Sequence, residues 1–239
     1  MTLRTHSLRN GTAAVAIAAL VAGGFVVVGQ VSTRSPAAQA ATAHHHSAAS
    51  SVPSAPIRSA KAIQLRNRMR KLWEDHITWT RTFIISSIAG LPDTATAAGR
   101  LLANQDDIGD AIKPFYGNAA GETLSALLRE HILIAAEIVE LAKKGDSAGV
   151  QRANARWHRN ATQIARFLHA ANPKHWGFAE MRAMMFDHLR LTLHEAVARL
   201  QQNWAADVRT YDRIHFQILH MADMLSIGII RQFPARFSA

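Results

Sequence analysis

An all-α fold, a six-helix bundle built from three tandem αα-hairpin repeats, is what this sequence predicts, and three observations carry the expectation. A short pattern occurs three times, as Leu72-Trp73-Glu74-Asp75-His76-Ile77, Leu127-Leu128-Arg129-Glu130-His131-Ile132 and Met184-Met185-Phe186-Asp187-His188-Leu189. Each copy sets two large apolar residues ahead of a carboxylate, a histidine and then Ile or Leu. The histidines stand 55 and 57 residues apart, the length of a helix-turn-helix unit. Apolar residues recur at the spacing of a helix face, no segment sustains a period of two, and valine is sparse. Repeated hairpins stack because one hairpin alone cannot bury its apolar stripe.

The six helices follow in order. The first covers about Lys61 to Ile88, with the stripe Leu65, Met69, Leu72, His76, Trp79 and Phe83. Gly90 and Pro92 stop it, and Asp93 is placed to cap the next. The second carries Leu101, Asn104, Ile108, Ile112 and Phe115 and breaks at Gly117. The third is expected to begin after Gly121, carries Leu124, Leu127, His131, Ile134 and Ile138, and ends at Gly145. Asp146 or Ser147 caps a fourth with Trp157, Asn160, Ile164 and Phe167, ended by Asn172-Pro173. A fifth spans about Phe178 to Gln202 and a sixth about Ala205 to Gln232, closed by Pro234.

Ahead of this domain, placed at residues 61–236, the chain has a different character. Residues 1–40 read as a secretory signal: Arg4 and Arg9 precede an uncharged, mostly apolar run from Gly11 to Gly29, and Ala38-Gln39-Ala40 is a small-x-small cleavage site. The same run serves an uncleaved signal anchor, although its Ala and Gly content makes it a weak span. Either way the expected location is extracytoplasmic, secreted or anchored to the cytoplasmic membrane. Residues 41–60 are Ala, Ser, Pro and His without apolar period and read as a disordered linker, whose His44-His45-His46 could bind a transition metal loosely.

Composition narrows the function classes. The chain has 239 residues, 49% of them hydrophobic, and no cysteine. Disulfides, thiolate metal sites and a cysteine nucleophile are therefore excluded. The net charge of +10 is concentrated at the front. Arg4, Arg9 and Arg34 lie in residues 1–40, and Arg58, Lys61, Arg66, Arg68, Arg70 and Lys71 in residues 58–71, with no acid in either stretch. From Leu72 onward 18 basic residues face 17 acidic ones. That distribution argues against a nucleic-acid partner. It leaves residues 58–71, with Arg66, Arg68, Arg70 and Lys71, as a candidate contact for an anionic envelope surface, or else the solvated face of the first helix.

Three histidines inside apolar stripes require partners, because an unpaired buried polar group costs roughly 1–3 kcal/mol. Asn104-x-x-Asp107-Ile108, Asn160-x-x-Gln163-Ile164 and Asp212-x-x-His215-Phe216 align in the second helices of the three hairpins. Counting from the turns sets His76 level with Asn104 and His131 level with Asn160; in the third hairpin His215 fits better than Asp212. Two readings stay open. In one, His76, His131 and His188 bond to Asn104, Asn160 and Asp212 or to neighbouring carboxylates, and this polar layer, with Gln163, is a structural network that fixes hairpin register. In the other, His76, His131, His188 and His215, with Asp107 and Asp212 as carboxylates, hold a divalent transition metal or frame a small-ligand site. No Glu-x-x-His pair, His-Glu-x-x-His, Gly-x-Ser-x-Gly, phosphate loop or dinucleotide fingerprint is present. The tryptophans read as core or hairpin-end packing, and His194-Glu195 as ordinary amphipathic helix.

Leu72-Trp73-x-x-His76-x-x-Trp79-Thr80-Arg81, Pro114-Phe115-Tyr116-Gly117, Ile164-Ala165-x-Phe167-Leu168 with Asn172-Pro173, and Met221-Ala222-Asp223-Met224 with Gly228-Ile229-Ile230 through Phe233-Pro234 together bear a likeness. The combination resembles an uncharacterised family of short helical bacterial proteins from soil and spore-forming species. The likeness covers about Leu65 to Pro234 and implies no activity. The expectation is an exported binding or structural module of the cell envelope rather than an enzyme, with a metal-binding protein or metal-dependent enzyme as the alternative.

Overall fold

Short polar and glycine signals set the helix ends. The computed structural model describes residues 58–238, so the signal and most of the linker expected from the sequence lie outside the described residues. Ser59 accepts a hydrogen bond from the Ala62 N–H at 3.2 Å and starts α1 (Ala60–Ala89). Gly90 ends α1 in the left-handed conformation at φ 68°, which a side chain would resist. α2 is Thr94–Tyr116, with Pro114 in its last turn. α3 is Asn118–Lys143 and α4 is Ser147–Ala171, the latter capped by Asp146, whose Oδ1 accepts from the Gly149 N–H at 2.9 Å. α5 is Phe178–Leu200, and α6, Trp204–Gln232, is capped by Asn203. A 3-10 turn at Pro234–Arg236 follows. No strand occurs among the described residues, and no helix among them is long and apolar enough to cross a membrane.

The sequence misplaces one boundary. α3 begins at Asn118, not after Gly121, because Gly117 at φ 85° reverses the chain as a one-residue connection. Gly121 has another task, since it packs against Gly109 of α2. A Cβ on Gly121 would lie 2.7 Å from the Gly109 carbonyl oxygen and 2.4 Å from Lys113 Cγ. One on Gly109 would lie 2.5 Å from the Gly121 carbonyl. The two backbones touch there, which the tight connection demands.

Each helix packs on its predecessor, and α6 returns to α1, so three hairpins close into a ring. α1 also reaches across the interior to α3 and α5. The closing seam is ionic from end to end. Asp223 of α6 accepts from Arg66 at 2.8 Å and from Arg70 at 2.7 Å, His215 Nε2 lies 2.7 Å from a Glu74 oxygen, and Asp207 accepts from Arg81 at 2.8 Å. The α6 number falls as the α1 number rises, so the two helices run antiparallel.

The interior has two apolar ends and a polar waist. On one side of the waist Met69, Ile112, Leu124, Leu168, Trp176 and Ile229 pack together; on the other Phe83, Ile84, Leu101, Ile132, Val139 and Ala196 do. Between them lie buried His76, Asn104, Gln105, His131, Asn160 and His188.

The glycine contact yields a paired prediction. Gly121→Ala overpacks the α2–α3 crossing and should lower stability by about 1–3 kcal/mol. Gly99→Ala, at an exposed helical position with nothing within 4 Å of its Cβ, should raise it by about 0.5–1 kcal/mol. Urea midpoints at unchanged slope would show the opposite signs, and equal effects would refute the close-approach role.

Candidate functional site

The waist is assembled by one local rule applied three times. An imidazole on the first helix of each hairpin meets a carboxamide on the second, always 29 residues later. His76 Nδ1 lies 3.3 Å from Gln105 Nε2, His131 Nδ1 2.8 Å from Asn160 Oδ1, and His188 Nδ1 3.2 Å from Gln217 Oε1. Amides of the second helix also tie down the turn before each histidine. Asn104 donates to the Leu72 carbonyl at 3.0 Å, Asn160 to the Leu127 carbonyl at 3.0 Å, and Gln217 to the Met184 carbonyl at 3.2 Å. In each case the acceptor is four residues before the histidine, where a helix turn places its carbonyl alongside the imidazole base.

The first repeat departs from the other two. Its work is divided between Asn104 and Gln105, and the division changes a proton position. In the second and third repeats the amide nitrogen is committed to a carbonyl, so its oxygen must accept, and Nδ1 of His131 and of His188 carries the proton. Gln105 Nε2 instead donates to the Leu101 carbonyl at 2.7 Å. Reversing that amide would set two carbonyl oxygens against each other. Nδ1 of His76 is therefore the acceptor, and its proton sits on Nε2. On the edges turned away from their hairpin partners, His76 offers a donor while His131 and His188 offer lone pairs. These roles follow from the hydrogen-bond network.

The rings gather at the bundle interior. His76 and His188 have centroids 5.5 Å apart at 42°, Trp73 meets His76 edge-on at 5.6 Å, and Trp157 lies against His131 at 5.1 Å. Nε2 of His131 and Oε1 of Gln105 are buried without a hydrogen-bond partner among the described residues. Burial in this setting opposes charge. It pushes His131 down to about 3 and His188 down to about 4, and holds His76 well below the ordinary histidine range, with repulsion from His188 and His131 adding to the effect on His76.

The other residues singled out from the sequence lie elsewhere. Gln163 is exposed, because the buried stripe of α4 runs through Trp157, Asn160, Ala161 and Ile164 and bypasses it. Asp107 is exposed beside Arg100, at 3.4 Å, and Asp212 is exposed. His215 stands at the α1–α6 seam with Glu74, its side chain 41% exposed. Three of the four candidate histidines thus converge, while His215, Asp107 and Asp212 do not join them. Among the described residues no group of three or more His, Asp or Glu side chains is disposed to hold a metal ion. The sequence reading missed Gln105 and Gln217. The signal was available: stepping 55 and 57 residues from Gln105 gives Asn160 and Gln217, the same intervals that relate the histidines.

The basic run splits in a similar way. Arg66 and Arg70 are paired with Asp223, Lys71 with Asp75 at 2.5 Å, and Arg68 is exposed. A further charged cluster was not anticipated. Glu195 and Asp207, 2% and 1% exposed, share Arg81, and Arg199 reaches Asp207 at 3.1 Å. The Tyr211 ring lies 4.6 Å from the Arg81 guanidinium and Trp204 4.7 Å from that of Arg199. Burial pushes the Glu195 carboxyl up to about 7 despite its arginine partner.

A scan against protein-family models, a search of curated proteins and a search of solved structures each found no match for the chain. The site is therefore read from its own geometry.

Two outcomes follow for the waist. Asn160→Leu removes the acceptor for His131 and the donor for the Leu127 carbonyl, and should cost about 2–5 kcal/mol as two buried groups lose partners. His131→Phe in the same background should recover part of that loss. A double-mutant cycle with no coupling would refute the pairing.

The pH dependence has a determined sign. The unfolded chain binds protons on these histidines near the ordinary value of 6.5, whereas the folded chain binds them only near 3 to 4 at His131 and His188. Their contribution is complete above pH 6.5 and is lost as pH falls through that window, at up to about 1.4 kcal/mol per pH unit for each histidine. Glu195, held above its ordinary 4.5, acts in the opposite direction between about pH 4.5 and 7. Three histidines outweigh one carboxylate, so chemical-denaturation stability should fall from pH 7 to pH 4. A His188→Gln variant should flatten the fall.

Proposed function

We propose that the protein is an extracytoplasmic binding or structural module of the cell envelope, whose interior histidine layer fixes the register of three hairpins. The observation that carries this reading is the pairing of every waist histidine with an amide of its own hairpin at the constant offset of 29 residues. Such pairing is what a register-setting network requires, since slipping one helix of a hairpin by a turn strands its imidazole and its tied carbonyl at once. The leader-like residues 1–40 support the location. The likeness to short helical proteins of soil and spore-forming bacteria fits a module of this kind and supplies no chemistry.

A second reading, binding of a divalent transition metal, is favoured by one specific feature. Tying Nδ1 of an imidazole to an amide is how outer-shell groups orient metal ligands, and it leaves Nε2 of His131 and His188 as lone pairs. Elemental analysis and chelator-dependent melting of the full chain, with His44, His45 and His46 changed to alanine, separate the two readings. The first predicts no stoichiometric metal and the same melting temperature with chelator. Metal at one equivalent, lost in His131→Ala, would establish the second. Fractionation of cells making the full chain should place it outside the cytoplasm; recovery in the cytoplasmic fraction would overturn the location.

A further inference from the structure

A row of positive charge with few acidic partners lies on α4. That helix carries Arg152, Arg156, Arg159 and Arg166 and no carboxylate. All four are exposed, at intervals of four, three and seven residues with exposed Gln163 between the last two. Those intervals keep them on one face, in a row roughly 21 Å long at 1.5 Å per residue. Arg156 is paired with Glu137 of α3 at 2.5 Å. Arg152, Arg159 and Arg166 have no ion-pair partner among the described residues. The acids beside the row are Glu137 and Glu130, both on the α3 side.

The surroundings make the row more than a solvated helix face. At one end Arg152, Arg156 and Arg159 join Glu137, Leu141 and Gly149 around an open groove of about 520 Å3 between α3 and α4. At the other, the guanidiniums of Arg166 and Arg182 lie 5.9 and 5.6 Å from the ring of Phe178. Arg182, on the first turns of α5, is exposed as well. A line of five guanidiniums therefore runs from the groove along α4 to the start of α5. In the basic run at residues 58–71, the candidate that the sequence offered, Arg66 and Arg70 share Asp223 and Lys71 pairs with Asp75, so its paired members are drawn into contacts within the bundle.

We infer that the outer face of α4 is a docking surface for a linear polyanion bearing phosphate groups repeated along a flexible backbone. Guanidinium binds phosphate through two parallel hydrogen bonds, and the arginines share one helix face, so the row can engage phosphates at several points along one flexible chain. The row has no large apolar side chain between its arginines, where a helix lying on a lipid surface needs one to insert. The rings beside it, Phe178 and Phe186, are half-buried with arginine guanidiniums over them, which leaves little open face for nucleic-acid bases to stack on. These features favour a non-nucleic phosphate polymer. This inference names the partner of the proposed binding module and is independent of the histidine layer.

The test is a binding titration of the full chain with long-chain inorganic polyphosphate, a single-stranded oligonucleotide and phosphatidylglycerol vesicles at several salt concentrations. Polyphosphate should bind most tightly, and less so as salt rises. R152Q/R159Q/R166Q should weaken it by about tenfold or more and flatten the salt dependence. R68Q/R209Q/R213Q removes equal charge from other exposed positions and should retain binding. All of these positions are exposed, so unchanged melting of both variants verifies folding. Equal loss in the two variants would reduce the effect to net charge and overturn the inference, as would tighter binding of vesicles or oligonucleotide, or no polyphosphate binding. None of those failures bears on fractionation, so location and partner fail separately.

Discussion

A buried imidazole has two nitrogens to satisfy and one hairpin partner with which to do it. That constraint organises the bundle. Apolar stripes alone would let antiparallel helices slide past one another by a turn at modest cost, because a leucine exchanged for a methionine or isoleucine refills similar space. The amide that accepts from the imidazole and donates to the carbonyl four residues earlier has no equivalent one turn away. The apolar clusters above and below the waist therefore supply most of the burial, while the waist selects the alignment at which that burial occurs. The ring closure has a different chemistry. Its α1–α6 seam is held by Arg66, Arg70 and Arg81 against Asp223 and Asp207, with a Glu74–His215 contact between them, in antiparallel order.

The two unlike joints explain where polar groups are tolerated in the interior. The waist of the hairpins is made by neutral groups, for which burial without charge is tolerated, and burial among apolar side chains and neutral amides keeps the histidines neutral. The seam admits ions because most of its members keep one side in water. Arg81, Glu195 and Asp207 are the exception, and two arginines with two aromatic faces surround the carboxylates there. Burial still pushes the Glu195 carboxyl up, to about 7. Partial neutralisation by arginine does not fully offset removal from water.

Much of this was legible in the sequence. The helix ends at Gly90, Asp146 and Asn172 were marked by residues whose local chemistry stops or starts a helix, and the threefold pattern gave the hairpins. The histidine convergence was legible as well, since equal spacing in a stacked repeat implies equal height. The amides opposite were harder. A carboxamide is unremarkable on any helix, and matching Asn104 to Asn160 by identity displaced the third match to Asp212 and His215. Distance along the chain, not residue type, held the register. Gly121 read as a helix breaker because a glycine that lets two backbones meet has no sequence mark of its own. The Arg81 cluster draws on α1, α5 and α6, and the ring closure that unites them was not in the local pattern.

An even number of helices closed into an up-and-down ring brings the beginning and end of the bundle to the same place. Lys61 Nζ donates to the Ser238 carbonyl at 3.2 Å, across 177 residues of chain. Tension applied between those two points would not shear the whole array. It would load the α1–α6 seam one ion pair at a time, opening the ring at its salt-sensitive joint while the three amide-locked hairpins stayed closed. The bundle is thus mechanically graded, with a seam that unzips ahead of the hairpins it joins.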